Sequence, residues 1–260
     1  MYAVQYETQL NAAESKMKSF KKKPSAYAAA SALAGFFIGI GLVISQYINM
    51  LFADAPSPAG PVLSGVSFSV GLMLVFFAGA ELFTGNNLPF GLALAEKRFK
   101  GSDVIKILAF CWIFNLLGSF ILGLLLRFSG IGGDSLREVM LQAALGKAER
   151  SVPELLLRGI FCNILVCLAV WACAVMDNAA GKAILTMFCI GTFVTTGMEH
   201  SIANMSLFSF AVLFSPETQN ALIGSSVPAG GIVKNLLTVT AGNLIGGMLF
   251  VAMPYKLAQE

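Results

Sequence analysis

The chain has 260 residues, 57% of them hydrophobic and only 12% charged, where a soluble domain carries roughly 25% charged residues. That balance excludes a water-soluble globular domain and describes an all-α polytopic membrane protein. The net charge of +3 comes from basic residues gathered at the ends of apolar runs, so it reads as a topological signal and gives no reason to expect a nucleic-acid partner.

In chain order, residues 1–23 are polar, and Tyr6, Leu10, Ala13, Met17 and Phe20 recur at spacings of four and three. That spacing predicts a helix with one apolar face. Lys16, Lys18, Lys21, Lys22 and Lys23 accompany it, so it is expected to lie at a membrane surface with its lysines toward anionic lipid headgroups. A solvated charged tail is the plainer alternative. It does not read as a cleavable signal peptide.

Residues 24–256 read as one transmembrane domain. Pro24 introduces a first apolar run, Tyr27 to Phe52, long enough for a bilayer core of about 30 Å. Ala30, Ala34, Gly35, Gly39 and Gly41 stud it, as close helix packing in lipid requires. After the proline-rich link Asp54 to Pro61, the second run reaches about Ala95, too long for one crossing, and residues Glu81 to Pro89 are expected to break it. Non-helical backbone at that depth needs protein or a water-filled cavity around it. Run three is Val104 to Leu126 and run four Leu155 to Val175, with a short interfacial helix expected over Ser135 to Ala148 between them. The fifth run spans about Ala183 to Phe214, Pro216 to Gly231 reads as a loop, and the sixth run is Leu236 to Met253. The five cysteines lie within apolar runs without CxxC pairing, so neither disulfide, metal nor other cofactor is expected.

Within run five, Gly197-Met198-Glu199-His200-Ser201-Ile202-Ala203-Asn204-Met205 places the only histidine beside a carboxylate. A charged group at bilayer depth costs roughly 2.5 to 3.5 kcal/mol on insertion scales, so an intramembrane ionisable pair is a functional-site candidate by default. Interhelical hydrogen bonding alone is the blander reading. The third run carries Asn115-Leu116-Leu117-Gly118 and the sixth Asn243-Leu244-Ile245-Gly246. With runs two and five both interrupted, this points to two three-helix repeats, the second inverted, with the interruptions meeting near the midplane. Basic residues place both termini on the cytoplasmic side.

The motif Leu82-Phe83-Thr84-Gly85-Asn86 and the stretch Glu199 to Met205 resemble the two signatures of the formate/nitrite transporter family, and Lys147, Asn163 and Gly242 to Gly247 match it in place and kind. The resemblance implies an aquaporin-like homopentamer in a prokaryotic inner membrane, each protomer with a pore for small monovalent anions of weak acids. It implies Thr84 and His200 at the pore centre and Leu82 and Phe83 on the loop that breaks helix two. It further implies Leu72 and Val166 at an inner constriction, Phe68 and Phe193 at an outer one, and Lys147 as a cation at the outer mouth; Lys16, on the N-terminal helix, is expected from its charge to serve the inner mouth in the same way. Leucine and phenylalanine at helical spacing are also plain packing residues.

Physical chemistry accounts for such residue types. A bare anion in an apolar slit bears a large desolvation cost that its neutral acid does not. Cations at the mouths concentrate the anion, and an imidazole lends a hydrogen bond or proton near neutral pH. Glu199, Asn204 and Asn163 are expected to anchor the broken backbone, with Glu199 facing away from the path. Two other functional classes stand beside the anion pore. A channel for small neutral solutes has the same architecture, whereas an enzyme is disfavoured because His200 lacks a second titratable partner. Among formate, nitrite and hydrosulfide, the loop Thr84 to Asn87 and Lys16 lean toward hydrosulfide.

Overall fold

The computed structural model describes residues 2–214 and 227–259. Among them every regular element is helical. In chain order these are α1 Ala3–Lys22, α2 Pro24–Leu51, α3 Ala59–Leu74 with a π-helical end Val75–Gly79, α4 Phe83–Ala95, α5 Gly101–Ser129 and α6 Gly133–Glu149. Then follow α7 Val152–Cys173, α8 Ala179–Thr195, α9 Ser201–Leu213, α10 Ala229–Leu244 continuing as a π-helix Ile245–Ala252, and α11 Met253–Gln259. Among the described residues, five helices or continuous helical stretches are long and apolar enough to cross a membrane, namely 24–51, 59–79, 101–129, 152–173 and 229–259, while α8 and α9 are shorter apolar helices. The loop expected over residues 216–231 lies outside the described residues up to 226, and its last three residues already belong to α10.

Backbone geometry sets where the second apolar run stops being helical. Gly79 has φ 80°, which a side chain would oppose, and Ala80 and Leu82 are extended before the helix restarts at Phe83. The non-helical stretch is therefore shorter than the sequence implies. Thr84 to Pro89 are helical, and Pro89 sits inside α4. A proline there costs one backbone hydrogen bond, and α4 absorbs it because residues 86–93 are buried on every side. Run five repeats the pattern: Gly197 has φ 71°, and α9 restarts at Ser201 with His200 as its N-cap.

Contacts between helices depend on missing side chains. A Cβ on Gly35 would collide with the carbonyl of Asn115, and one on Gly118 with the carbonyl of Ala32, so α2 and α5 touch backbone to backbone. Gly242 and Gly246 bring α10 onto α7 in the same way, against the carbonyls of Leu156 and Ile160. Without water to drive apolar surfaces together, such close approach is what dispersion requires.

The N-terminal helix departs from expectation. Tyr6, Leu10, Ala13 and Met17 are buried against protein, since α1 packs on α4, α2, α11 and α7. The predicted apolar face exists, but it meets the other helices instead of lipid. Tyr6 donates to Glu96 Oε1 at 2.6 Å, Arg98 pairs with Glu14 at 2.9 Å, and Lys21 lies 3.6 Å from Asp103. α6, the expected interfacial helix, packs on α9, α2 and α10.

Candidate functional site

Two helix starts meet in the interior. Thr84, in the first turn of α4, and His200, the N-cap of α9, lie 2.9 Å apart between Oγ1 and Nε2. Both are buried. A side-chain acceptor at an N-cap meets one of the unpaired amides of the first turn, and here the acceptor is His200 Nδ1, which receives the amide of Ala203 at 3.1 Å. With Nδ1 accepting, the neutral ring carries its proton on Nε2 and donates it to Thr84 Oγ1. That leaves the Thr84 hydroxyl proton free to donate elsewhere. The N-terminal ends of α4 and α9 also direct their positive dipole ends toward this point.

One asparagine holds each restart. On α5, Asn115 Oδ1 accepts the amide of Phe83 at 2.9 Å, while its Nδ2 donates to the carbonyls of Ser31 (2.7 Å) and Glu81 (2.9 Å). On α10, Asn243 Oδ1 accepts the amide of Ser201 at 2.9 Å, and its Nδ2 donates to the carbonyls of Gly159 (2.8 Å) and Glu199 (3.0 Å). The shared Asn-Leu-x-Gly pattern thus marks one bonding job done twice. Asn163, on α7, donates to the carbonyls of Thr84 (3.3 Å) and Asn243 (2.6 Å), tying the two restarts together.

The correspondence extends to charge. Glu81 Oε2 receives Lys16 Nζ at 2.6 Å and Asn86 Nδ2 at 3.0 Å. Glu199 Oε2 receives Lys147 Nζ at 2.7 Å and Asn204 Nδ2 at 2.6 Å. Neither lysine is the free cation that the sequence reading placed at a mouth. Each is drawn onto a carboxylate, and Glu199 is fully buried. Burial of a carboxylate is tolerated only with such pairing.

Both lysines line recesses, Lys16 together with Glu81 and Lys147 with the buried Glu199 behind it. One, of about 480 Å³, is bordered by Lys16, Leu72, Glu81, Leu82, Asn86 and Val170. The other, of about 270 Å³, is bordered by Phe68, Lys147, Arg150, Phe193, His200 and Asn204. Phe68 and Leu72 lie on successive turns of α3, about 6 Å apart along its axis at ~1.5 Å per residue, and border different recesses. Phe193 meets Phe68 edge to face at 5.8 Å and stacks on the His200 ring at 5.8 Å and 10°.

Two expected liners lie elsewhere. Val166 is fully buried and borders neither recess; Val170, one turn further along α7, takes the lining position. Phe83 borders an apolar groove against α5 and α10, because side chains of successive residues leaving an extended segment point opposite ways and Leu82 takes the recess side. Sequence reasoning missed Arg150, whose Nη1 lies 3.3 Å from Glu199 Oε1. It also missed the acid–lysine pairing, although the repeated spacing Glu81 to Asn86 and Glu199 to Asn204 was a readable signal. Among the described residues no group of three His, Cys, Asp or Glu side chains is arranged to hold a metal.

The protein is thus polytopic and all-helical among the described residues, with two recesses lined by charged groups; His200 borders the second, and Thr84, bonded to it, is buried and borders neither. The family model described as "Formate/nitrite transporter" matches residues 6–257, and the chain belongs to that family. It is similar to the nitrite transporter NirC of Salmonella typhimurium, at 32% identity over 90% of this chain and 84% of the relative. It is also similar to the formate channel FocA of Escherichia coli strain K12, at 33% identity over 85% of this chain and 82% of that one. Among solved structures, an FNT family ion channel superposes with a TM-score of 0.86 at 28% identity, covering 99% of both chains. A pentameric formate channel with formate bound superposes with a TM-score of 0.77 at 30% identity, covering 92% of this chain and 99% of that one. The family is one of transporters and channels, not enzymes.

Proposed function

We propose that each protomer of a homopentamer passes small monovalent anions of weak acids across the inner membrane, through a path that runs from the Lys16 recess to the Lys147 recess past Thr84 and His200. In this reading α8 and α9 together make a sixth crossing, the second half is inverted relative to the first, and both termini are cytoplasmic. The observation that carries it is the Thr84–His200 pair, buried between two recesses at the facing starts of α4 and α9. The names of the relatives, a nitrite transporter and a formate channel, favour those anions; neither concerns hydrosulfide.

With Lys16 and Lys147 each paired to a carboxylate, the surplus positive charge comes from Lys182 in the first recess and Arg150 in the second, and it raises the local concentration of the anion. Leu72 and Leu82 on one side, and Phe68 and Phe193 on the other, are buried apolar constrictions that strip water from it. In the barrier the Thr84 hydroxyl donates to the anion while His200 Nε2–H holds the threonine oxygen. This replaces hydration with a fixed donor and lowers the cost of the apolar passage. Protonating His200 on Nδ1 would break its bond to the Ala203 amide, so the ring's first contribution is orientation and polarisation of Thr84. Glu199 and Asn204 brace the outer recess and Asn163 the centre.

The reading is tested with purified protein in liposomes. Formate, nitrite and hydrosulfide flux should be fast and blocked by Thr84→Val; neutral glycerol flux without anion flux would overturn the proposal in favour of a neutral-solute channel.

A further inference from the structure

Arg150 caps the C-terminal end of α6 and borders the same recess as His200, Lys147 and Phe193. The acids near it are already served. Glu199 Oε2 is held by Lys147 and Asn204, and Glu154 Oε1 is held by Arg158 at 2.8 Å, with Arg150 at 3.9 Å. Arg150 Nη1 lies 3.3 Å from Glu199 Oε1 but out of alignment, so both atoms are buried without a hydrogen bond. Matching Lys147 with Glu199 and Arg158 with Glu154 leaves one positive charge in the recess, on a guanidinium for which no hydrogen bond is formed among the described residues.

Resting on the anion-pore reading above, we infer that Arg150 makes the outer recess select planar two-oxygen anions over single-atom acceptors. A guanidinium presents parallel N–H groups in a plane, spaced to meet both oxygens of a carboxylate or of nitrite; an ammonium such as that of Lys147 is a point charge that attracts every small anion alike. Formate and nitrite therefore bind Arg150 with two hydrogen bonds on leaving water, next to the Phe193 gate. Hydrosulfide offers one sulfur and gains only the Coulombic part. Nη1 is buried against Glu199 Oε1, so the parallel pair left for an anion is the other edge of the partly exposed guanidinium, Nη2–H and Nε–H.

The test compares wild type, Arg150→Lys and Arg150→Gln in liposomes, reading formate, nitrite and hydrosulfide uptake at concentrations well below saturation, with assembly checked by gel filtration. Arg150→Lys keeps the charge and removes the fork, so the ratio of formate to hydrosulfide flux should fall roughly tenfold or more, the worth of about one charge-assisted hydrogen bond. Arg150→Gln should lower all three fluxes. An unchanged ratio in Arg150→Lys overturns the inference while leaving the anion pore standing; absence of anion flux in wild type overturns the pore itself. Should the variants fail to assemble, wild-type protein still decides. Formate should inhibit nitrite uptake at roughly fivefold lower concentration than chloride, and equal inhibition by the two overturns the inference.

Discussion

Replacing Lys147 by methionine removes the strongest partner of a carboxylate with no exposure to solvent. Glu199 would keep Asn204 at 2.6 Å and the misaligned Arg150 at 3.3 Å. Breaking a buried pair on one side costs about 3–5 kcal/mol. The lower end applies here, because the Lys147 side chain is 24% exposed and Arg150 remains nearby. At about 3 kcal/mol, thermal unfolding in detergent should move down by roughly 6–12 °C for a chain of this size. Pairing the change with Glu199→Gln removes the stranded charge and keeps the acceptor for Asn204, so the double variant should recover most of the loss. Unfolding midpoints for wild type, both single variants and the double variant complete the cycle. A Lys147→Met midpoint within 2 °C of wild type, or a double variant as unstable as the sum of the singles, would refute the coupling of these two residues.

Asn115→Ala and Asn243→Ala each delete three hydrogen bonds at equivalent points. Their unfolding midpoints should drop by similar amounts, corresponding to about 2–4 kcal/mol; a loss confined to one would break the equivalence of the halves. Gly118→Val drives a side chain into the Ala32 carbonyl and should prevent assembly, read as loss of the oligomer peak in gel filtration. Thr84→Ser retains the donor and should keep most of the anion flux, whereas Thr84→Ala should lower it roughly tenfold or more. The hydrogen bond from Tyr6 and the pairing with Lys256 hold the Glu96 carboxyl below the usual glutamate range. A depressed folded value means that its stabilisation of α1 is present above about pH 4.3 and is lost as pH falls through the folded value. Proteolysis of α1 should accelerate in that acid range and lose this dependence in Glu96→Gln.

Apolar run length and small-residue spacing made the long helices legible, because a bilayer requires about 20 apolar residues and close packing requires glycine. The expected runs Tyr27 to Phe52 and Val104 to Leu126 correspond to α2 and α5 within a few residues at each end. His200 was legible as an ionisable group in apolar surroundings and Thr84 only through the resemblance to the transporter family, and their 2.9 Å contact joins residues 116 apart, which no local pattern announces. The lysine–glutamate pairs were hidden for the same reason: Lys16 and Glu81 are 65 positions apart, Lys147 and Glu199 52. Val166 and Val170 lie a turn apart on α7, and choosing between them depends on the tilt and depth of the helix, which hydrophobic periodicity does not fix. Pro89 was read as a breaker because local propensity says so, and burial of α4 overrides it.

The most direct measurement of the central claim is formate and nitrite flux into liposomes holding wild-type protein or the variants Thr84→Val and His200→Phe, each shown to assemble as wild type does. A path through the Thr84–His200 pair predicts rapid wild-type flux and at least a tenfold fall in both variants, about 1.4 kcal/mol or more in barrier height. Flux that persists at the wild-type rate in both would place the path elsewhere in the molecule and contradict the account.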